Sequence, residues 1–155
     1  MAKILANLDL NGTGYCASLN FRRTSRIITR MYDIAMQKSG VRSTQFAILV
    51  GIAKLQPVSI GTVGKPLGLD RTTLTRSLRL LQKKGLIVIS GRSSMRRRFL
   101  SLTPAGEKAL QRSLPLWRAA QAQFVSVIGN HYWLNLRNQL EKIANTTQMT
   151  DTVED

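Results

Sequence analysis

Leu69-Asp70-Arg71-Thr72-Thr73-Leu74-Thr75-Arg76-Ser77-Leu78-Arg79-Leu80-Leu81-Gln82-Lys83-Lys84-Gly85 reads as a helix with a start, two faces and a stop. Asp70 is an N-cap residue whose carboxylate accepts from amides of the first turn. Gly85 stands where a helix commonly ends in the left-handed region. Leu74, Leu78 and Leu81 recur at i, i+4 and i+7 and form one apolar stripe. The other side carries Arg71, Thr72, Thr73, Thr75, Arg76, Arg79 and Lys83, with no acid after Asp70. A face of short hydroxyls and arginines suits a DNA major groove. Arginine forks to phosphate or guanine, and threonine donates to phosphate or touches a thymine methyl. Taken alone the helix also fits a plain basic surface, so its surroundings decide.

Just upstream, residues 60–68 read as a short helix with Ser59 as N-cap and Ile60, Val63 and Leu67 inward. Gly61 and Gly64 each cost about 1 kcal/mol relative to Ala, and Pro66 removes an amide donor. Tertiary packing must hold this helix. A tight turn at Gly68-Leu69 joins it to the opening helix, which makes a helix-turn-helix with the second helix as the reader. Downstream, Leu86–Ser90 and Phe99–Leu102 are short apolar runs that read as the strands of a hairpin. The tip between them carries Arg92, Arg96, Arg97 and Arg98, a set fitted to DNA backbone or minor groove; a solvated loop is the alternative. Ten basic residues and one acid fall between Lys65 and Arg98, which places +9 of the net +15 in 34 residues.

The flanks read as helices. Residues 1–13 form an arm with Ile4, Leu5, Leu8 and Leu10 able to dock on a partner, and Asn11–Gly14 is a turn signal. From Tyr15 to Lys38, Cys16, Leu19, Arg23, Ile27, Met31 and Ile34 follow helical spacing. A second helix, capped by Ser43 or Thr44, runs through Phe46, Ile48, Leu49 and Ile52 to Leu55 and is apolar nearly all round. Val58–Ile60 reads as a short strand. Thr103, Pro104 and Glu107 open a long helix as N-cap, first residue and first-turn acid. Pro115 is expected to kink it near residues 111–115, and Gly129-Asn130 to break it. A last helix carries Trp133, Leu136, Leu140 and Ile143, and residues 145–155 are expected to fray.

Composition limits the function classes. The chain has 155 residues, enough for one domain with an attached helical element. Its 23 Lys and Arg against 8 Asp and Glu favour a polyanionic partner: DNA, RNA or an anionic membrane surface. No apolar run approaches a membrane span, and no signal peptide is evident. One cysteine excludes an intrachain disulfide framework and fits a reducing compartment. One cysteine and one histidine, His131, argue against a metal site and against a Ser/His/acid set. Gly61–Pro66 resembles a phosphate loop only faintly, since Pro66 stands where Ser or Thr must follow the lysine. No catalytic residue, cofactor or metal is expected.

Five stretches occur in the order and spacing of one family: Thr29–Asp33, Thr44–Leu49, Leu67–Arg76, Leu80–Ile87 and Leu102–Gly106. Across residues 16–145 the chain resembles the MarR family of winged helix-turn-helix regulators. The resemblance implies a homodimer joined through the first and last two helices, with each reading helix in a major groove and each wing in an adjacent minor groove. It implies a repressor released by a small, often phenolic ligand or by cysteine oxidation. Carried over by position, the DNA-facing residues are Arg71, Thr72, Thr73, Thr75, Arg76 and Arg79, with Arg92, Arg96, Arg97 and Arg98 in the wing. Arg96 matches the family's tip arginine, but Ser94 stands where an acid usually orients it. Gly61, Gly64 and Pro66 replace the usual helix formers ahead of the reader. A ligand pocket would lie where the first, second and fifth helices meet, lined by Tyr32, Phe46 and Trp117, whose plainer reading is core or dimer packing. Cys16 is the candidate redox residue, although its spacing from Tyr32 is two residues longer than in peroxide-sensing members.

The expected fold class is therefore mainly α with a small β-hairpin wing, a winged helix-turn-helix carrying a helical dimerisation region built from N- and C-terminal helices. The expected organisation is an arm and first dimerisation helix at 1–40, a DNA-binding region at 41–103, dimerisation helices at 104–148 and a disordered tail at 149–155. The expected function is a cytoplasmic, dimeric regulator of double-stranded DNA with a palindromic operator and a small aromatic effector, without a membrane role. The alternatives are a non-specific architectural nucleic-acid-binding protein and a redox-sensing regulator using Cys16.

Overall fold

A computed structural model describes residues 9–91 and 98–150. Helix α1 (Ala17–Met36) lies between 3-10 turns at Thr13–Tyr15 and Gln37–Ser39. Helix α2 (Ser43–Leu55) starts one residue earlier than its expected caps allow, with Arg42 in the N-cap position. Its cap comes from another helix. Asp33 on α1 accepts from both the amide and the hydroxyl of Ser43 at 2.7 Å, and Gln45 accepts from the Arg42 amide at 3.3 Å. Neither Ser43 nor Thr44 is the cap, because a carboxylate ten residues upstream takes that role.

Strand β1 (Val58–Ser59) leads into α3 (Ile60–Gly64), where the Ser59 hydroxyl accepts from the Thr62 amide as an N-cap should. The expected weak helix is one α turn followed by a 3-10 turn at Lys65–Leu67, closed by Gly68 at φ 59°. Helix α4 (Arg71–Lys83) is the reader, followed by β2 (Ile87–Ser90) and β3 (Phe99–Leu102). The hairpin gains a third strand. β3 is central, pairing antiparallel with β2 (Ile89 opposite Leu100) and with β1 (Val58 opposite Leu100). Leu100 is thereby enclosed on both sides and fully buried.

Helix α5 (Pro104–Ile128) continues through Pro115, and α6 (Asn130–Thr150) follows Gly129 at φ 87°. One core joins these elements: Phe46, Leu49 and Ile52 from α2, Leu74, Leu78 and Leu81 from α4, and Ile87, Leu100 and Ala109. The Thr103 hydroxyl donates to the Gly85 carbonyl at 2.6 Å and accepts from the Gly106 amide at 3.0 Å. The end of the reader and the start of α5 are fastened by one side chain. Among the described residues no helix is long and apolar enough to cross a membrane. Helix α6 runs through residues 145–150, where fraying and the start of a disordered tail were expected. The wing tip with Arg92, Arg96 and Arg97 lies outside the described residues, as do residues 1–8 of the arm and residues 151–155 of the tail.

Candidate nucleic-acid interface

The reader is anchored by its leucine stripe and aimed by its cap. Leu74, Leu78 and Leu81 are buried, which fixes the opposite face toward solvent. Asp70 accepts from the Thr73 amide at 2.8 Å and from the Thr73 hydroxyl at 2.6 Å. The Thr73 hydroxyl, and after it the Thr73 amide, hold the Asp70 carboxyl below the usual carboxylate range.

Arg71, Thr72, Thr75, Arg76 and Arg79 line one shallow concavity of about 610 Å³ together with Leu80 and Lys83. The arginines are exposed, and among the described residues none is paired with an acid. Such unpaired guanidiniums keep all their donors for a ligand. The threonines differ. Thr73 is absent from this concavity and its proton goes to Asp70, while the Thr75 hydroxyl donates to the Arg71 carbonyl at 2.7 Å. Of the three, only Thr72 keeps a hydroxyl donor uncommitted among the described residues. Thr75 is left with its methyl and its oxygen lone pair. Leu80, 48% exposed, is the apolar member that the sequence pattern did not single out. It falls outside the buried leucine spacing, and that was the available signal.

On the other flank of α4 lies a groove of about 1480 Å³ floored by Leu55, Ile60, Leu69, Ile89 and Phe99, with Lys65, Arg71, Arg79 and Arg98 around it. Arg98 thus stands at the base of the wing, exposed and across from the reader. The remaining candidates sit elsewhere. Phe46 is buried and its ring stacks on Trp117 at 5.7 Å between centroids. Tyr32 donates to Gln121 at 2.5 Å, one turn along α5 from Trp117, and burial raises its phenol pKa. The three aromatics therefore gather where α1, α2 and α5 meet, as packed side chains. Cys16 is exposed at the N-cap position of α1, remote from them in the chain. His131 is exposed in the first turn of α6.

Comparison with known proteins agrees with this geometry. The MarR family model matches residues 41–93, the span from α2 to the wing. An uncharacterized HTH-type transcriptional regulator of Bacillus cereus is 27% identical over 120 residues, covering 77% of this chain and 80% of that protein. The Mycobacterium tuberculosis transcriptional regulator MosR, solved in complex with DNA, superposes with a TM-score of 0.76 at 32% identity, over 90% of this chain and 99% of MosR. Bordetella bronchiseptica BpsR, whose DNA binding is regulated by 6-hydroxynicotinic acid, shares the fold with a TM-score of 0.75 at 17% identity, over 89% and 98% of the two chains. With a third of its residues shared across nearly the whole of MosR, and with the family model lying on the reader itself, the chain belongs to the MarR family of DNA-binding transcriptional regulators, which are not enzymes.

Proposed function

We propose that the chain acts as a homodimeric repressor that places two α4 helices in successive major grooves of a palindromic operator and is released by a small aromatic effector. The observation that carries the reading is the α4 face: three exposed arginines, paired with no acid among the described residues, and Thr72 around a single concavity beside Arg98. The DNA-facing set is Arg71, Thr72, Thr75, Arg76 and Arg79, with Leu80 for apolar contact with a thymine methyl and Arg92, Arg96, Arg97 and Arg98 for the wing. Thr73 belongs to the cap that orients the helix.

Dimerisation is supported by apolar side chains left in solvent on the terminal helices. Leu19 and Ile27 on α1, Val127 at the end of α5 and Tyr132 on α6 are all exposed, Val127 to 79%. A monomer rarely leaves so many large apolar groups uncovered on neighbouring elements. Two heads related by a two-fold axis read half-sites about 34 Å apart, one helical turn of DNA. A cytoplasmic location belongs to the same reading.

The effector would act at the junction of Tyr32, Phe46 and Trp117, because that junction joins the terminal helices to the reading head. Opening the Phe46–Trp117 stack and the Tyr32–Gln121 bond would shift α5 against α2. The test combines selection of bound duplexes from random-sequence DNA with sedimentation of the complex, repeated with a panel of phenolic acids. A two-fold symmetric site, a 2:1 complex and dissociation by at least one acid are expected. Equal affinity for selected and scrambled duplexes refutes the operator reading.

A further inference from the structure

The reading head does not hold all of the unbalanced charge. Where α1 meets α2, an open groove of about 700 Å³ is lined by Arg26 and Arg30 of α1, Arg42 at the start of α2, and Lys84 at the end of the reader. Arg26, Arg30 and Arg42 are exposed and, among the described residues, paired with no acid. Asp33 is the acid in this lining, and its Oδ1 already receives the amide and the hydroxyl of Ser43. Lys84 is held in place, its Nζ donating to the Gly40 carbonyl at 3.1 Å and to Gln45 at 3.2 Å. It is a fixed cation in the wall of the groove.

The arrangement fits a repeating polyanion. Arg22, Arg26 and Arg30 recur every fourth residue, so their stems advance about 6 Å per step along α1. A small molecule prefers an enclosed, mostly apolar pocket; this groove is open and rimmed by cations. It also reaches the end of the reader: Lys83 lines the α4 concavity, and Lys84, the next residue, lines the groove. We propose that the groove is a second contact with the sugar-phosphate backbone of the operator duplex, taking phosphates outside the bases that α4 reads. This assignment rests on the operator reading given above.

The test uses the full chain and a selected duplex in two lengths, the protected palindrome alone and the same site extended by ten base pairs on each side. Affinity is followed by fluorescence anisotropy across a salt series. Arg26→Gln with Arg30→Gln removes two charges from exposed positions, and Arg137→Gln with Lys142→Gln removes the same charge from α6. The groove variant is expected to bind the extended duplex about 10-fold more weakly near 0.15 M salt. Its slope of log affinity on log salt should fall by roughly two to four, at about 0.9 for each phosphate that two protomers no longer neutralise. The α6 variant should keep the wild-type slope, and both variants should melt like wild type. A groove variant that keeps the wild-type slope, or weakens no more than the α6 variant, overturns the assignment while leaving the operator reading intact. A wild type that cannot tell the selected duplex from a scrambled one refutes the operator reading, and the groove assignment falls with it.

Discussion

Gly64 and Leu74 meet so closely that a Cβ on Gly64 would lie 2.6 Å from Leu74 Cδ2. This contact joins α3 to the reader. Gly64 has φ −73°, so its backbone is ordinary and the glycine is there for room. Leu74 is buried in the core and cannot turn aside without disturbing Leu78 and Leu81. Gly64→Ala should therefore destabilise the protein by about 1 kcal/mol despite the better helix propensity, and Gly64→Val by about 2–3 kcal/mol through overpacking. Gly61, three residues earlier, has no neighbour within 4 Å of a Cβ, so Gly61→Ala should stabilise by up to about 1 kcal/mol. Urea midpoints check both. Equal effects at the two glycines would show that Leu74 does not need the gap.

Asp70 gives the reader a pH-dependent cap. Its carboxyl lies below the ordinary 3.8 because Thr73 donates to it twice. A depressed acid contributes stability that is present above the unfolded value and lost as pH falls through the folded one. The melting temperature of wild type should thus exceed that of Asp70→Ala at neutral pH, and the gap should close below pH 3.8 as the cap protonates. Other acids titrate in both proteins, so the difference isolates Asp70. A gap independent of pH down to full protonation would mean that the carboxylate is not the capping group.

Most of the architecture was legible because its signals are local. Asp70, the leucine stripe and Gly85 delimit α4 within seventeen residues, and Thr103 with Pro104 opens α5 as expected. What escaped depends on residues distant in the chain. The α2 cap is Asp33 on another helix. The strand at Val58 was legible, but its pairing with β3, Val58 opposite Leu100, was not. Gly64 looked like a weakness in a helix and is a requirement of its neighbour. In the interface, residue type alone marked Thr73 and Thr75 as donors, whereas their protons are spent on Asp70 and on the Arg71 carbonyl. A short hydroxyl on a helix often turns back to its own backbone, and the helical wheel does not register that.

The interface then makes separate demands on its residues. Arg76→Ala should cost about 1–3 kcal/mol of operator binding and relax discrimination at the base it faces. Thr73→Ser should bind nearly as wild type, since a hydroxyl still reaches Asp70. Thr72→Val should weaken binding, because Thr72 alone of the three threonines keeps a hydroxyl donor to give among the described residues. Binding isotherms on the selected and singly mutated duplexes separate these outcomes. Thr73→Ser weaker than Thr72→Val would place Thr73, not Thr72, on the DNA.

Dimerisation should depend on side chains that the protomer does not need. Ile27 and Val127 are 61% and 79% exposed, so a charge at either position should disturb the protomer little. Ile27→Glu with Val127→Glu should shift sedimentation toward the monomer mass while helix content holds. Operator affinity should fall by more than about 10-fold, since one head loses the benefit of its tethered twin. A variant that stays dimeric places the interface on other residues.

The last demand falls on Gly106. A Cβ there would overlap the Leu86 carbonyl oxygen, with the Leu86 carbonyl carbon 3.0 Å away behind it. The obstacle is main chain, and it is already fixed, since the Thr103 amide donates to that same carbonyl at 3.1 Å. No rotamer change can relieve it, so Gly106→Ala must push α5 away from the start of β2. The shift would strain the Thr103–Gly85 bond that fastens the end of the reader. Gly106→Ala should therefore destabilise by about 2 kcal/mol or more, beyond any gain of about 1 kcal/mol in helix propensity. Ala105→Gly, on the exposed side of the same turn, should cost about 1 kcal/mol or less. Because the reader hangs on this junction, Gly106→Ala should also weaken operator binding at temperatures well below its melting point. Unchanged stability together with unchanged affinity would mean that α5 and the reader are not coupled through Gly106.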